Sequence, residues 1–151
     1  MRLLNFLITV TVLMNSSTSY NLDLIRANYD KMFLDRELCE KMIDELDREK
    51  NNSATYLGYL GGLQTIWANH VFSPISKWNT FKKGKGNIEQ AIKIEPDNVE
   101  LRFIRLSIQK NIPSFLGYKS NIDEDIEFIK KNRNQICIEI LNNNIEMLLK
   151  K

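Results

Sequence analysis

Past residue 20 the apolar positions recur every three or four residues, and no stretch alternates with the period of two that marks a half-buried strand. The pattern predicts an all-α chain. It is broken at FLDRE, KNNSA, FSPIS, EPDN, KNIPSFLGYKSN and KNRN, where turn-forming and polar residues gather. About seven helices follow, over residues 22–33, 36–50, 53–71, 75–94, 99–110, 122–131 and 134–150. Local chemistry supports the boundaries. Asp35 suits the N-cap of the second helix, Ser53 that of the third, and Asp97 or Asn98 that of the fifth. Pro96 disfavours helical geometry at the residue before it and so ends the fourth. Asp123, Glu124 and Asp125 place negative charge where the sixth helix presents its unpaired amides.

Two helices depart from a plain amphipathic pattern. The third holds Gly58, Gly61 and Gly62, each costing about 1 kcal/mol relative to alanine. With Thr65, Ala68 and Asn69 they form one small-residue side, opposite Tyr56, Leu60, Leu63 and Trp67. A smooth side allows another helix to approach closely, and the alternative is a shallow slot for a ligand. The fifth helix lies in VELRFIRLSIQKNIPSFLGY. Leu101, Ile104 and Ile108 share one of its sides, and Phe103 and Leu106 lie on another. Arg102, Arg105 and Gln109 fall in a stripe between them. Either Glu100, or Asp123 and Asp125, holds these guanidinium groups in an internal network, or the stripe faces a groove and binds carboxylates. The loop after it, NIPSFLGY, carries Ile112, Phe115, Leu116 and Tyr118. These are expected to pack over the ends of the third and fifth helices. Alternatively, Phe115 and Tyr118 form an aromatic lip on a partner groove. Arg102, Arg105, Gln109, Phe115 and Tyr118 are therefore the candidate partner-binding residues.

Composition narrows the chemistry. The 151 residues fit one domain, large enough to bury about two-thirds of its unfolded surface. A formal charge of +2 gives no support for nucleic-acid binding, which needs a concentrated basic face. His70 is the only histidine, so no histidine cluster and no Ser-His-Asp arrangement follows from it beyond a hydrogen-bonded core role. Cys39 and Cys137, the only cysteines, read as two small buried hydrophobes, with pairing after export as the alternative. The acids Asp44, Glu45 and Asp47, like Asp123, Glu124 and Asp125, read as solvated helix faces and first-turn acids rather than an acid–base pair. FKKGKG lacks the Walker spacing and sits inside a helix, so Lys82, Lys83 and Lys85 read as a solvated face, or as a weak contact with an anionic envelope surface. No catalytic constellation, metal site or cofactor is expected.

The N-terminus reads separately. Met1 and Arg2 precede an apolar run over residues 3–14, and Ser17-x-Ser19 has the spacing a signal peptidase accepts. The run is shorter than the roughly 20 residues a membrane-spanning helix needs. Residues 1–19 are therefore expected to be a signal peptide, and residues 20–151 a single domain without an integral membrane segment.

The stretch GKGNIEQAIKIEPDN has the spacing Gly84-x3-Ile88-x2-Ala91-x4-Pro96, which resembles the second helix of a tetratricopeptide repeat. The helix before it holds Leu57-Gly58 and Leu60-Gly61, as the first helix of that family does, and PDNVEL resembles the junction into the next repeat. The resemblance implies stacked antiparallel helical hairpins whose first helices line an inner groove. SPISKWNTFKKG and ELRFIRLSIQKNIPSFLGY are in turn similar to small exported helical proteins of Bacteroidota, which implies a compartment and no activity. The expectation is an exported helical-repeat scaffold, periplasmic or secreted, that binds a protein or peptide partner. The alternative is a carrier of a small apolar ligand, or an accessory enzyme, with its pocket between the third helix and the PSFLGY loop. If the chain is exported, mass spectrometry of the envelope fraction should find a new N-terminus close to Tyr20. Recovery of the intact chain only from the cytoplasm would contradict export.

Overall fold

A computed structural model describes residues 16–49 and 51–151 and contains seven α-helices, with no strand among those residues. They are α1 (Ser16–Asn28), α2 (Arg36–Glu49), α3 (Ala54–Trp67), α4 (Pro74–Ile94), α5 (Val99–Asn111), α6 (Ile122–Asn132) and α7 (Glu139–Lys150). No helix among the described residues is long and apolar enough to cross a membrane. The expected signal run lies outside the described residues, and the expected cleavage point after Ser19 falls within α1.

Capping chemistry sets most of the boundaries. The Asp35 carboxylate accepts from the Leu38 amide, and the hydroxyls of Ser53 and Ser73 accept from the amides of Tyr56 and Ser76. Asn98 rather than Asp97 caps α5, accepting from the amides of Glu100 and Leu101. Four expected ends differ: the first helix already includes Ser16, and the third stops at Trp67 rather than 71, before the 3-10 turn Ala68–His70. The first helix stops at Asn28, and Lys31–Phe33 forms a separate 3-10 turn. The last begins at Glu139 rather than 134, because Arg133–Gln135 is a 3-10 turn and the chain is extended at Ile136 and Ile138.

Helix α3 is the centre of the molecule. Its pairings with α4 run in opposite directions, from Gly58 beside Ala91 to Thr65 beside Gly84, so the two are an antiparallel hairpin. Helices α5 and α6 form the next hairpin, from Arg102 beside Glu124 to Gln109 beside Asn121. The first helices of the two hairpins run parallel, with Gly58 on Leu101 and Gly62 on Ile104. On the other flank α2 lies antiparallel to α3. Its Cys39 thiol donates to the Leu63 carbonyl at 3.6 Å, and Glu49 accepts from the Tyr56 hydroxyl.

The glycines do not form a single side facing one neighbour. A Cβ on Gly61 would meet the Gly84 carbonyl oxygen at 2.6 Å, while one on Gly58 would meet Leu101 and one on Gly62 the Tyr29 ring hydroxyl and Ile104. The opposite residues Tyr56 and Leu63 are buried as well, while the side of Leu57, Leu60 and Trp67 is left half-buried. That explains three glycines in one helix: each removes a side chain where a different element comes close. Alanine at Gly61 would press on α4 backbone and should lower stability by about 1–3 kcal/mol. Alanine at Gly86, which meets nothing within 4 Å, should raise it by about 0.5–1 kcal/mol. Denaturant unfolding of the two variants checks the pair, and equal effects would contradict the close α3–α4 contact.

Candidate functional site

The arginine stripe of α5 is internally paired. Asp125, fully buried in the first turn of α6, takes two parallel hydrogen bonds from Arg105, Nε to Oδ2 at 2.7 Å and Nη2 to Oδ1 at 2.6 Å. Arg105 also reaches Glu89 of α4 at 3.1 Å. Arg102 donates to Glu124 at 2.8 Å and Asp125 at 3.1 Å, and its Nε and Nη2 approach the Pro96 carbonyl. Its guanidinium lies 4.8 Å from the centre of the Phe128 ring. Burial disfavours the charged form of Arg105, but hydrogen bonds and attraction to Asp125 outweigh it, so its pKa is raised. Glu124 is held below the usual carboxylate range by its bonds from Asn121 and Arg102.

A second network lies on the other side of α5. Glu100 accepts from Arg26 of α1 at 2.6 and 2.9 Å and from the Tyr59 hydroxyl of α3 at 2.6 Å. Burial and the neighbouring Glu100 push the Tyr59 hydroxyl well above its ordinary pKa. Just after α1, Tyr29 packs edge-on against Tyr59 and tilted against Phe103, and it bonds with Ser107 at 3.1 Å. The surface of α3 and α5 next to α1 is thus occupied by the chain's own Arg26 and Tyr29.

The five candidate binding residues consequently separate. Arg105, Gln109 and Tyr118 are buried, and Arg102 is mostly covered. The Gln109 amide nitrogen donates to Asn121 at 3.4 Å, while its Oε1 has no protein partner. The Tyr118 hydroxyl donates to Glu89, and its ring packs edge-on against Phe81. Burial, then Glu89, raises its pKa. Only Phe115, 86 % exposed, stands in solvent.

Phe115 belongs to a different arrangement. Residues 72–79 are all exposed because α4 runs past the end of α3 before Phe81, its first buried residue. This overhang presents Phe72 (89 % exposed), Ile75 (75 %) and Trp78 (47 %). Between it, the end of α3 and the loop Pro113–Leu116 opens a cleft of ≈360 Å³. Phe81, Ile112 and Leu116 contribute apolar floor, and Lys77, Trp78 and Phe115 stand at its rim. The cleft lies between the third helix and the PSFLGY loop. The lining aromatics are Trp78, Phe81 and Phe115. Sequence periodicity conceals this site, since Ile75, Trp78 and Phe81 read as a core stripe. The third helix expected from the sequence, over residues 53–71, is nearly as long as the fourth, so the overhang left no signal of its own.

Other concavities are present among the described residues. One, ≈550 Å³, lies between the start of α5 and the segment around Cys137, and another, ≈360 Å³, lies between Phe33, Phe103 and Met147. The nucleophile candidates are poorly disposed. Cys39 is buried, and burial with Asp35 and Glu40 nearby pushes its thiol up to about 12. Cys137 is exposed rather than buried, and both cysteines are free. His70 is half-buried, its Nε2 3.3 Å from the Met32 carbonyl and its ring beside Trp67. Among the described residues no group of three histidine, cysteine or acidic side chains is placed to hold a metal ion. Comparison with known proteins finds no matching family model, curated protein or solved structure.

Arg105→Gln should cost about 3–5 kcal/mol in denaturant unfolding, because it removes the two-bond fork on the buried Asp125 carboxylate and leaves it only Arg102. Arg102→Gln should cost clearly less, since Glu124 is exposed and Asp125 keeps Arg105. Equal small losses of about 0.5 kcal/mol or less, the range of ordinary surface substitutions, would contradict buried pairing.

Proposed function

We propose that this chain is an exported helical scaffold that docks a protein or peptide partner in the cell envelope. The docking site is the cleft between the α4 overhang and the Pro113–Leu116 loop. One observation carries the reading: Trp78 and Phe115 stand exposed at the rim of one apolar cleft, and Phe72 and Ile75 are exposed on the same overhang. Scattered surface apolar residues need no explanation, but a contiguous patch rimming a concavity marks an interaction surface. Consecutive hairpins with parallel first helices support the tetratricopeptide-like reading of the scaffold. The inner-groove position of the arginines is not part of this proposal, because Asp125, Glu124 and Glu89 already engage them.

A second reading keeps the same cleft for a small apolar ligand, and its volume, near the lower end of the ligand-pocket range, favours that use. Native mass spectrometry of the purified chain separates the two, because a carrier should retain a small-molecule adduct that Phe81→Ala releases. For docking, a photo-crosslinking residue at Ile75 or Phe115 in intact cells should give an adduct of one defined mass. The same residue at Glu127, on α6, should give none, and Trp78→Ala should abolish the adduct. Adducts equally abundant from all three positions would contradict a defined docking site.

A further inference from the structure

The cleft carries a charge pattern that identifies the partner's chemistry. Residues 71–88 contain Lys77, Lys82, Lys83 and Lys85 and no aspartate or glutamate. Lys83 turns away, toward the acids Glu40, Asp44 and Asp47 of α2, with which it lines a separate hollow. The other three belong to the cleft side. Lys77 lines the cleft itself. Lys82 lies with its ammonium 5.5 Å from the centre of the Trp78 ring, and Lys85 with its ammonium 4.8 Å from that of Tyr118. Trp78 is at the rim, and Tyr118 packs on Phe81 in the floor. These contacts with aromatic faces hold two long side chains over the same end of the molecule.

None of the three lysines forms an ion pair among the described residues. Four arginines differ: Arg26, Arg102, Arg105 and Arg133 each hold a carboxylate, while Arg36 lies over Trp67 and Arg48 donates to the Asp44 carbonyl. The carboxylate on this helix that could answer them, Glu89, is engaged by Tyr118 and Arg105. An apolar cleft therefore has one unmatched positive charge at its rim, Lys77, and two more, Lys82 and Lys85, held on aromatic rings beside it.

We infer that the docked segment is an acidic peptide stretch of a protein partner, with a large apolar side chain seated in the cleft and carboxylates facing Lys77, Lys82 and Lys85. This deepens the docking reading and rests on it. A protein segment fits better than an anionic bilayer because the apolar floor of Phe81, Ile112 and Leu116 lies recessed between two walls. A side chain fills such a recess, whereas a flat lipid surface touches only its rim. Charge complementarity here sets the choice of partner and the rate of encounter, and the seated apolar group supplies most of the contact.

The test is selection of a random displayed peptide library on the full chain, alongside sedimentation with phosphatidylcholine vesicles made with and without phosphatidylglycerol. Enriched peptides should share an aromatic or aliphatic anchor flanked by aspartate or glutamate. A synthetic copy should bind about tenfold or more weakly to the Lys77→Glu/Lys82→Glu/Lys85→Glu variant, whose melting temperature should stay close to native, and more weakly as salt rises. Peptides without acidic bias that still require Trp78 and Phe115 would overturn the inference and leave docking standing. Peptides indifferent to Trp78→Ala and Phe115→Ala, or no enrichment at all, would overturn both. Binding to phosphatidylglycerol vesicles in place of peptides would assign the lysines to a bilayer and overturn the inference as well.

Discussion

A carboxylate with no access to water must be answered by charge, and Asp125 is such a group. Its position obliges Arg105 to lie flat against the start of α6, and Arg102 completes the set from one turn earlier in α5. Because Arg105 also reaches Glu89, and Glu89 takes the Tyr118 hydroxyl, one buried acid fixes α6, α5, α4 and the loop after α5 relative to one another. Glu100 does the same on the opposite side, tying α5 to Arg26 of α1 and Tyr59 of α3. Helix α5 is thus a charged spine with its charges turned inward. Replacing such a pair with fitted apolar groups need not lower stability, but removing one partner does. The consequence for the proposed function is spatial: what α5 offers is held within the fold, and the proposed docking uses the surface that the fold leaves unsatisfied.

That surface follows from helix lengths. Helix α3 ends at Trp67 and a single 3-10 turn, while α4 starts at Pro74 and runs to Ile94. Gly61 against Gly84 sets how the two lie together, and the excess length of α4 therefore projects at its first turns. The overhang holds apolar side chains that no neighbour covers and lysines that no acid matches. A rigid glycine-packed hairpin below it keeps these groups in place, which suits a docking platform better than a mobile loop would.

Much of the fold was legible because helix-period patterning and caps are local. Asp35, Ser53, Asn98 and Pro96 mark ends that the structure places within a residue or so of the reading. Three of the ends that failed, at Asn28, Trp67 and Glu139, adjoin 3-10 turns whose residues still look helical in composition. The internal pairing of the α5 arginines was legible as one of two alternatives, with Asp125 as partner. The pairing of Glu100 with Arg26 was not, because a contact across 74 positions leaves no periodic trace. Phe115 and Tyr118 were read together as a lip, yet Gly117 between them, at φ 63°, turns the chain so that one side chain faces solvent and the other the core. The exposed stripe of Ile75 and Trp78 was hidden for a simple reason: periodicity says which residues share a face, and only tertiary structure says whether anything covers it.

The claim that the α5 charges are structural is tested most directly by a double-mutant cycle on Arg105 and Asp125, using Arg105→Met and Asp125→Leu with unfolding free energy as the readout. Each single variant leaves a buried charge without its principal partner, while the double variant leaves neither. The account predicts that the double variant loses less than the sum of the two singles, with a coupling of about 1–3 kcal/mol. Losses that simply add would contradict it.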